Sequence, residues 1–591
     1  MGIVSVVPMM TYVARSAREV LRKARSHVTV TAATLRPVRP SSGRRTGRAS
    51  RWLARHVARL RNAERSTMTR IPYAPALSRR SVLRLGAGAS AGIALAPLTG
   101  CAGPTGAPGP GAISLGLNRS LVSLDNKLNQ FDAAVTVQRA VRQALTRIGK
   151  GLRPELVLAD RFEMTEPTAW TVRLREGVRY SDGTPVTVKD VSTALKMYAG
   201  VNGSFIVGLF PEMPTVEPVD GRTFRLHTKR PVPILDQLMA NILISPAAGN
   251  RPEELSGGAG SGPYVVTSAN SGTGEYTLAA NHRYWGRRPT VDRVRVRFVP
   301  EESSRVVAVR SGELDVIDTI TPDSAEQLKG LPGVRLDRTS GTRVNQLFFN
   351  FRKPRGHPLA DARVREALSY AIDGEALVRD VLTDSAQQAE GVVPLALKGA
   401  VRTGRYVHDP GEARKRLAAL GASDLKVKII WESGEFPADT SVMEAVLEML
   451  RGVGVRASLQ QFEPGGDIQQ WRQGRRGDWD VLGNGFSVPT GHASTSLQGM
   501  YGGTPEKEQS RDTYQGYVFP RIATRLADAS AETDEKTRNE RLAAVQREIW
   551  DTRPCLWAFV PDVVLARRTR VRDVGLLQLN SYDLAAVRLE G

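Results

Sequence analysis

The sequence predicts an α/β fold with more than one sheet, and three observations carry that prediction. From Lys426 the strand-like run V-K-I-I-W-E is followed by a helical stretch over 441–450, then by V-R-A-S-L-Q and D-W-D-V-L as further strands; strand-helix-strand spacing of this size marks a lobe with a mostly parallel sheet. Earlier, Trp170, Val172 and Leu174 alternate as a half-buried strand does, and the strand pair 216–219 and 223–227 brackets the turn Asp220-Gly221. A chain of 591 residues is also long enough for two to four domains or lobes with ample core.

The elements follow in order. Residues 1–67 are Arg-rich, with R-S-A-R-E-V-L-R-K-A-R from Arg15 and R-W-L-A-R-H-V-A-R-L-R from Arg51. Each can form a basic amphipathic helix, which would suit a membrane surface or nucleic acid if the segment persisted. Then Ser78 to Cys101 reads S-R-R-S-V-L-R-L-G-A-G-A-S-A-G-I-A-L-A-P-L-T-G-C: paired arginines, a short apolar run and small residues before a cysteine. The apolar run is about 14 residues, whereas a span of the bilayer needs about 20. The layout is that of an export signal. It resembles a twin-arginine signal of the bacterial lipoprotein type, in which Leu98-Thr99-Gly100-Cys101 is the lipobox and Cys101 becomes the acylated first residue. Because export signals start near a terminus and Met68 lies ten residues before Ser78, residues 1–67 read as an over-extended start or disposable pre-leader, and 1–77 as absent from the mature protein.

Charge agrees with this division. The net charge is +22 and the pI about 10.3, values that ordinarily suggest nucleic acid or an acidic membrane. Residues 1–50 hold ten Lys or Arg and residues 51–100 nine, against only Glu19 and Glu64, so the chain from Cys101 onward carries about +5. The polycation belongs to the leader, and nucleic acid is not expected as a partner. Only Cys101 and Cys555 are present; with the first lipidated there is no intramolecular disulfide and no cysteine metal site. Cys555, in P-C-L-W-A-F-V, reads as a small buried hydrophobe.

After Cys101, A-G-P-T-G-A-P-G-P-G-A is a flexible tether over 101–112. Residues 113–117 read as a strand, and 135–148 as a helix with Val137, Val141, Leu145 and Ile148 on one face. Asp182-Gly183 makes a turn, and Thr187 with Asp190 can cap a helix running to Tyr198. In D-A-R-V-R-E-A-L-S-Y-A-I-D, Val364, Leu368 and Ile372 sit four apart, with Arg363, Arg365 and Glu366 off that stripe. The last helix covers 535–552 and the apolar run 556–566 reads as a buried strand.

L-R-E-G-V-R-Y-S-D-G-T-P-V-T-V-K-D-V resembles the signature of the family 5 extracellular solute-binding proteins, the peptide, nickel and oligosaccharide receptors of ABC importers. Gly260-Ser261-Gly262-Pro263-Tyr264, N-H-R-Y-W-G from Asn281, R-S-G-E-L-D from Arg310, the D-A-R-V-R-E-A-L segment, Asp409-Pro410 and Gly452-Val453-Gly454-Val455 continue the match in family order. The resemblance implies a bilobed periplasmic-binding-protein-like fold of type II with an extra subdomain: lobe I over 113–340, lobe II over 341–555 and a return to lobe I over 556–591. It implies a monomer tethered outside the cytoplasmic membrane, with a small-molecule or peptide ligand and ABC permease subunits as partners. The alternative is a relative recruited to a regulatory or scaffolding role without transport.

Candidate ligand-binding residues are Trp431 and Glu432 after a strand, Trp471, Asn484 and Phe486 within G-N-G-F-S-V-P-T-G-H, and Tyr501; aromatic faces and a few charges become discriminating when closure excludes water. Peptide-binding relatives tend to carry an aspartate in the segment corresponding to 486–490, where this chain has none; Glu432, Glu435 and Glu463 are the possible substitutes. No enzyme is expected. The histidines His227, His282, His357, His408 and His492 form no H-E-x-x-H, and there is no G-x-S-x-G elbow and no Walker A sequence. No catalytic residue, cofactor or metal ligand is named.

Overall fold

Two sheets share one strand. The computed structural model describes residues 111–118, 127, 132–201, 204–247, 258–270, 272–463 and 466–590. The signal-like stretch, Cys101, most of the tether and Ser123-Leu124-Asp125 lie outside the described residues.

Strand β1 (Ala112–Leu117) is buried from Ile113 onward, as a run flanked by strands on both sides requires. Helix α1 (Asp132–Val141) lays Val137, Ala140 and Val141 on the same core. The helix expected over 135–148 stops at Val141, because the next carbonyls are claimed from elsewhere. Val141 accepts from Gly262 N at 2.9 Å, Gln143 from Ile244 N at 2.9 Å and Leu145 from Val157 N at 3.0 Å; Thr146–Ile148 then pair as a strand. Gly260 and Gly262 lie flat on the carbonyls of Ala140 and Val141, where a Cβ would overlap them.

An inserted layer follows: β2 (Ala159–Glu166), β3 (Ala169–Leu174), α2 (Val188–Ala199), β4 (Thr215–Pro218), β5 (Thr223–His227) and α3 (Leu235–Met239), its strands ordered β2-β3-β5-β4. The capping box at α2 is formed: Asp190 N donates to Thr187 Oγ1 at 3.4 Å and Thr187 N to Asp190 Oδ2 at 2.8 Å. The Asp220 turn is closed by its own carboxylate, which accepts from Arg222 N and Thr223 N at 2.8 and 2.7 Å.

The main sheet continues with β6 (Tyr264–Asn270), β7 (Glu275–Ala280), β8 (Arg293–Phe298), helix α4 (Glu302–Ser311), β9 (Val316–Ile317) and β10 (Val334–Ser340). The second half holds β11 (Val344–Phe349), α5 (Ala362–Ser369), β12 (Ala386–Gln388), β13 (Lys426–Glu432), α6 (Asp439–Gly452), β14 (Arg456–Phe462), β15 (Val481–Phe486), α7 (Ala493–Tyr501) and α8 (Glu535–Asp551). Strand β15 starts later than D-W-D-V-L suggested and carries the G-N-G-F run. Strand β16 (Cys555–Arg568) spans both halves. The order is β14-β13-β15-β11-β16-β9-β1-β8-β7-β6, with β10 and β12 also on β16. The early part of β16 pairs with β11 and β12, and from Asp562 it pairs with β10 and β9. The chain therefore crosses between halves twice, at Gly341 and at Pro561.

Three arginines fix helix entrances by one local device. Arg305, Arg365 and Arg538 are each at most 5% exposed. Each donates through Nη1 to the carbonyls five and six residues earlier: Arg305 to Val299 and Pro300, Arg365 to Leu359 and Ala360, Arg538 to Glu532 and Thr533, all within 2.7–3.1 Å. An acidic residue stands four positions earlier in every case, at Glu301, Asp361 and Asp534. Arg365 also donates to the carbonyls of Thr552 and Arg553, and burial lowers its pKa to about 10. The side chain read as lying off the apolar stripe is thus inside the protein, satisfied by backbone oxygens.

Candidate functional site

Parallel strands end where the two halves meet. In the first half β1 runs parallel to β8 and β9, and in the second β13 runs parallel to β14 and β15. Crevices beyond the carboxyl ends of such strands are where α/β folds hold ligands, because backbone N–H groups there are unspent. The register turns these ends toward the crossings: Ile317 lies opposite Ala566, five residues after Pro561 on β16, and Phe486 opposite Val344, three after Gly341.

On the first half, Asp318 follows β9 and is 4% exposed, its Oδ1 accepting from Asn118 N at 2.9 Å. Thr319 has φ +48, a strained conformation for a β-branched residue of the kind that clusters at functional sites. Its hydroxyl finds no partner among the described residues, and neither does that of Tyr582. Burial, with Asp318 close by, holds the Tyr582 phenol well above its ordinary pKa.

On the second half the site is built around Arg343. Its guanidinium pairs with Glu435, and its Nε donates to Asn345 Oδ1 at 3.1 Å. Glu435 Oε1 also accepts from Gly485 N at 3.2 Å. Asn345 is fully buried, and its amide nitrogen has no partner among the described residues. Gly485 allows this arrangement, since a Cβ there would overlap Asn345 Oδ1 and Arg343 Nε; Gly483 likewise makes room for Met443. Tyr514 donates to Gly485 O at 3.5 Å, meets Phe486 edge-on at 5.4 Å and lies under the Arg472 guanidinium at 4.9 Å. The Asn345 amide and the Thr319 and Tyr582 hydroxyls thus keep hydrogen-bonding capacity that no described residue uses.

The six residues singled out in the sequence fall in different places. Asn484 and Phe486 are half-buried on β15 opposite Gln346 and Val344 of β11, so their side chains leave the face that carries Asn345 and Gly485, and Phe486 turns to Tyr514. Glu432 is half-buried at the carboxyl end of β13. Trp471 sits edge-on to Phe462 at 5.3 Å, takes the Trp479 indole N–H on its carbonyl at 2.7 Å, and lies beneath the Lys428 ammonium at 5.2 Å. Trp431 is 3% exposed and packs among Ile429, Met443 and Val446 in the core behind β13. Tyr501 is completely buried, edge-on to Tyr517 at 5.2 Å, with Gln346 Nε2 at 3.5 Å from its hydroxyl. The last two rings serve packing, because an alternating strand sends Trp431 into the helix layer and α7 turns Tyr501 inward. Sequence reasoning passed over Arg343, Asn345, Asp318 and Tyr514. The signal for the first two was the G-x-G of β15, since glycines in a strand mark close approach.

Among the described residues no cluster of His, Cys, Asp and Glu could hold a metal, and no helix is long and apolar enough to cross a membrane.

Comparison with known proteins agrees with this architecture. The model of bacterial extracellular solute-binding proteins, family 5 Middle, matches residues 153–508. The glutathione-binding protein GsiB of Escherichia coli K12 is 25% identical over 454 residues, covering 74% of this chain and 88% of the relative. That of Pectobacterium atrosepticum is 24% identical over 447 residues, covering 73% and 86%. Among solved structures, DppA from Helicobacter pylori in complex with the peptide STSA is similar at TM-score 0.69, 19% identity, and coverage of 81% of this chain and 98% of that one. The substrate-binding protein CtaP from Listeria monocytogenes is similar at TM-score 0.72, 18% identity and coverage of 81% and 99%. NikA from Staphylococcus aureus, in complex with nickel and L-histidine, gives 0.69, 16%, 81% and 100%.

Proposed function

The chain belongs to the family 5 bacterial extracellular solute-binding proteins, and from that premise we propose that it captures a small zwitterionic, peptide-like ligand between its lobes and delivers it to an ABC permease. The observation that carries the ligand class is the Arg343–Glu435 pair beside Gly485. A cation and an anion that satisfy each other across one strand end can be re-partnered by a ligand bearing both charges. Its ammonium takes Glu435, its carboxylate takes Arg343, and neither half-buried charge is left alone. Glu435 thereby supplies, from the turn after β13, the carboxylate missing from 486–490. The donor-rich surroundings at Asn345 and Tyr582 suit the ligand's carbonyl oxygens.

Lobe I is taken as 113–340 with its inserted layer, lobe II as 341–555, and 556–591 as the return, which joins lobe I after Pro561. The apolar length, the paired arginines and the lipobox support lipidation at Cys101 and a mature protein that begins there, without the basic extension 1–77 and the signal 78–100, held at the outer face of the cytoplasmic membrane; we take it as a monomer. No catalytic group enters this reading.

The test is native mass spectrometry and thermal unfolding with free-termini di- to tetrapeptides, their amino-acetylated and amidated forms, and neutral oligosaccharides. Free-termini peptides should remain bound, and at a hundred times Kd should add about 2.7 kcal/mol of stability. Retention of an oligosaccharide with no response to free peptides would overturn the zwitterion reading.

A further inference from the structure

Strand β8 reads R-V-R-V-R-F. Its valines, Val294 and Val296, are fully buried in the lobe I core, so Arg293, Arg295 and Arg297 form a row on the opposite face. On β7 the residues across from them are Ala279, Thr277 and Glu275. A line of guanidinium groups thus stands above short side chains. Arg297 is held by Glu275 at 3.6 Å and by Glu313. Arg293 and Arg295 make no ion pair among the described residues. Asp292, beside them, faces Arg288 at 3.7 Å.

The position of this row matters because of where the chain enters the fold. Ala112 is the residue opposite Arg293 on the parallel strand β1. Only ten residues separate it from Cys101. A glycine-rich segment of that length has a root-mean-square reach of about 18 Å, roughly two Debye lengths at physiological salt. An acylated Cys101 therefore leaves Arg293 and Arg295 within tether range of lipid headgroups, so that direct contact rather than long-range attraction decides whether they dock.

We propose that this face of lobe I, centred on Arg293 and Arg295, docks on anionic phospholipid headgroups and sets the orientation of the tethered receptor. The proposal rests on the lipid-anchor reading of Cys101. Lysine and arginine near an anionic leaflet each contribute enough that losing two should weaken docking roughly 30-fold.

The experiment uses the processed lipoprotein extracted from membranes and reconstituted into vesicles. One preparation is phosphatidylcholine alone and the other is phosphatidylcholine with phosphatidylglycerol. A dye is attached at Thr277→Cys, on the arginine face; Cys555 is 2% exposed and Cys101 acylated, so neither competes. Quenching by a headgroup-labelled lipid should appear only with phosphatidylglycerol, fall with added salt, and be lost in Arg293→Glu/Arg295→Glu. The variant should still co-float with both vesicles and unfold at the parent temperature. Quenching that ignores phosphatidylglycerol, salt and the arginines overturns the docking face. So does quenching that grows with protein density on phosphatidylcholine alone, which assigns the face to a second copy. Failure of the anchor reading is distinct: no co-flotation with phosphatidylcholine, and no acyl mass on Cys101.

Discussion

Gly341 and Pro561 face each other at the two crossings between the halves, with Gly341 N donating to the Pro561 carbonyl at 3.3 Å. A Cβ on Gly341 would stand 2.6 Å from that oxygen, closer than packing tolerates. Gly341→Ala should therefore destabilise the protein by about 1–3 kcal/mol. It should also weaken ligand binding by disturbing closure, measured by denaturant unfolding together with peptide titration. Unchanged values in both would mean the crossing strands yield without cost.

Asp315 is 1% exposed, receives both arms of Arg570 at 2.7 and 2.8 Å, and accepts from Ser114 N at 2.9 Å. It ties the C-terminal segment to β1 and β9. Arg570→Met leaves a buried carboxylate without its cation, and should cost about 3 kcal/mol of stability. The Asp315→Asn/Arg570→Met double variant should recover part of that loss in a double-mutant cycle.

If the Arg343–Glu435 pair holds the ligand as proposed, Glu435→Gln and Arg343→Met should each reduce affinity for a free-termini peptide by 10-fold or more, about 1.4 kcal/mol. The thermal midpoint of the ligand-free protein should change little, because the pair is partly exposed. Gly485→Ala should give the same loss by displacing the Arg343 side chain. Isothermal titration reads all three.

Acid should unfold the protein partly through His492. Burial, reinforced by Arg538 and Lys398, depresses its pKa from 6.5 to about 3. Its Nδ1 accepts from Ser494 N at 3.2 Å, while Nε2 has no partner among the described residues. A depressed pKa contributes stability that is full above pH 6.5 and is lost as pH falls toward 3. Stability should drop by about 3 kcal/mol between pH 6.5 and about 4 from this group, and His492→Gln should flatten that slope.

Asp236 acts with the opposite sign. Burial raises its pKa to about 6, against the pull of Lys398 and Arg538. Its contribution is present below the ordinary value of 3.8 and is lost as pH rises through 6. Asp236→Asn should be more stable than the parent at pH 7, with the difference disappearing by about pH 4, as urea midpoints across that range will show.

Much of the architecture was legible because it rests on local rules. Trp170 to Leu174 alternate, Thr187 and Asp190 satisfy each other, and Asp220 closes its own turn. The helix over 135–148 was overread because its ending depends on Gly262, Ile244 and Val157, residues far along the chain that take its carbonyls. Arg365 looked like surface charge because two of the oxygens that satisfy it, those of Thr552 and Arg553, lie far along the chain. Asn484 and Phe486 were visible as strand-end residues but face away from Asn345 and Gly485, whereas Arg343 gains meaning only once the segment before β11 is laid against β15. Trp431 and Tyr501 drew attention as aromatics, a property that core and cleft share.

Strand β16 also has a consequence for how the protein comes to be made. The core around β1 is completed by Leu565, Val571, Val574, Leu584 and Val587, five side chains whose burial contributes about 10 kcal/mol in gross terms. Those side chains lie about 250 residues after Val316, the preceding member of that core, so it closes only when the C-terminal segment has returned to β1. The core of the inserted layer, from Leu145 to Ile244, holds no residue of that segment and can form without it.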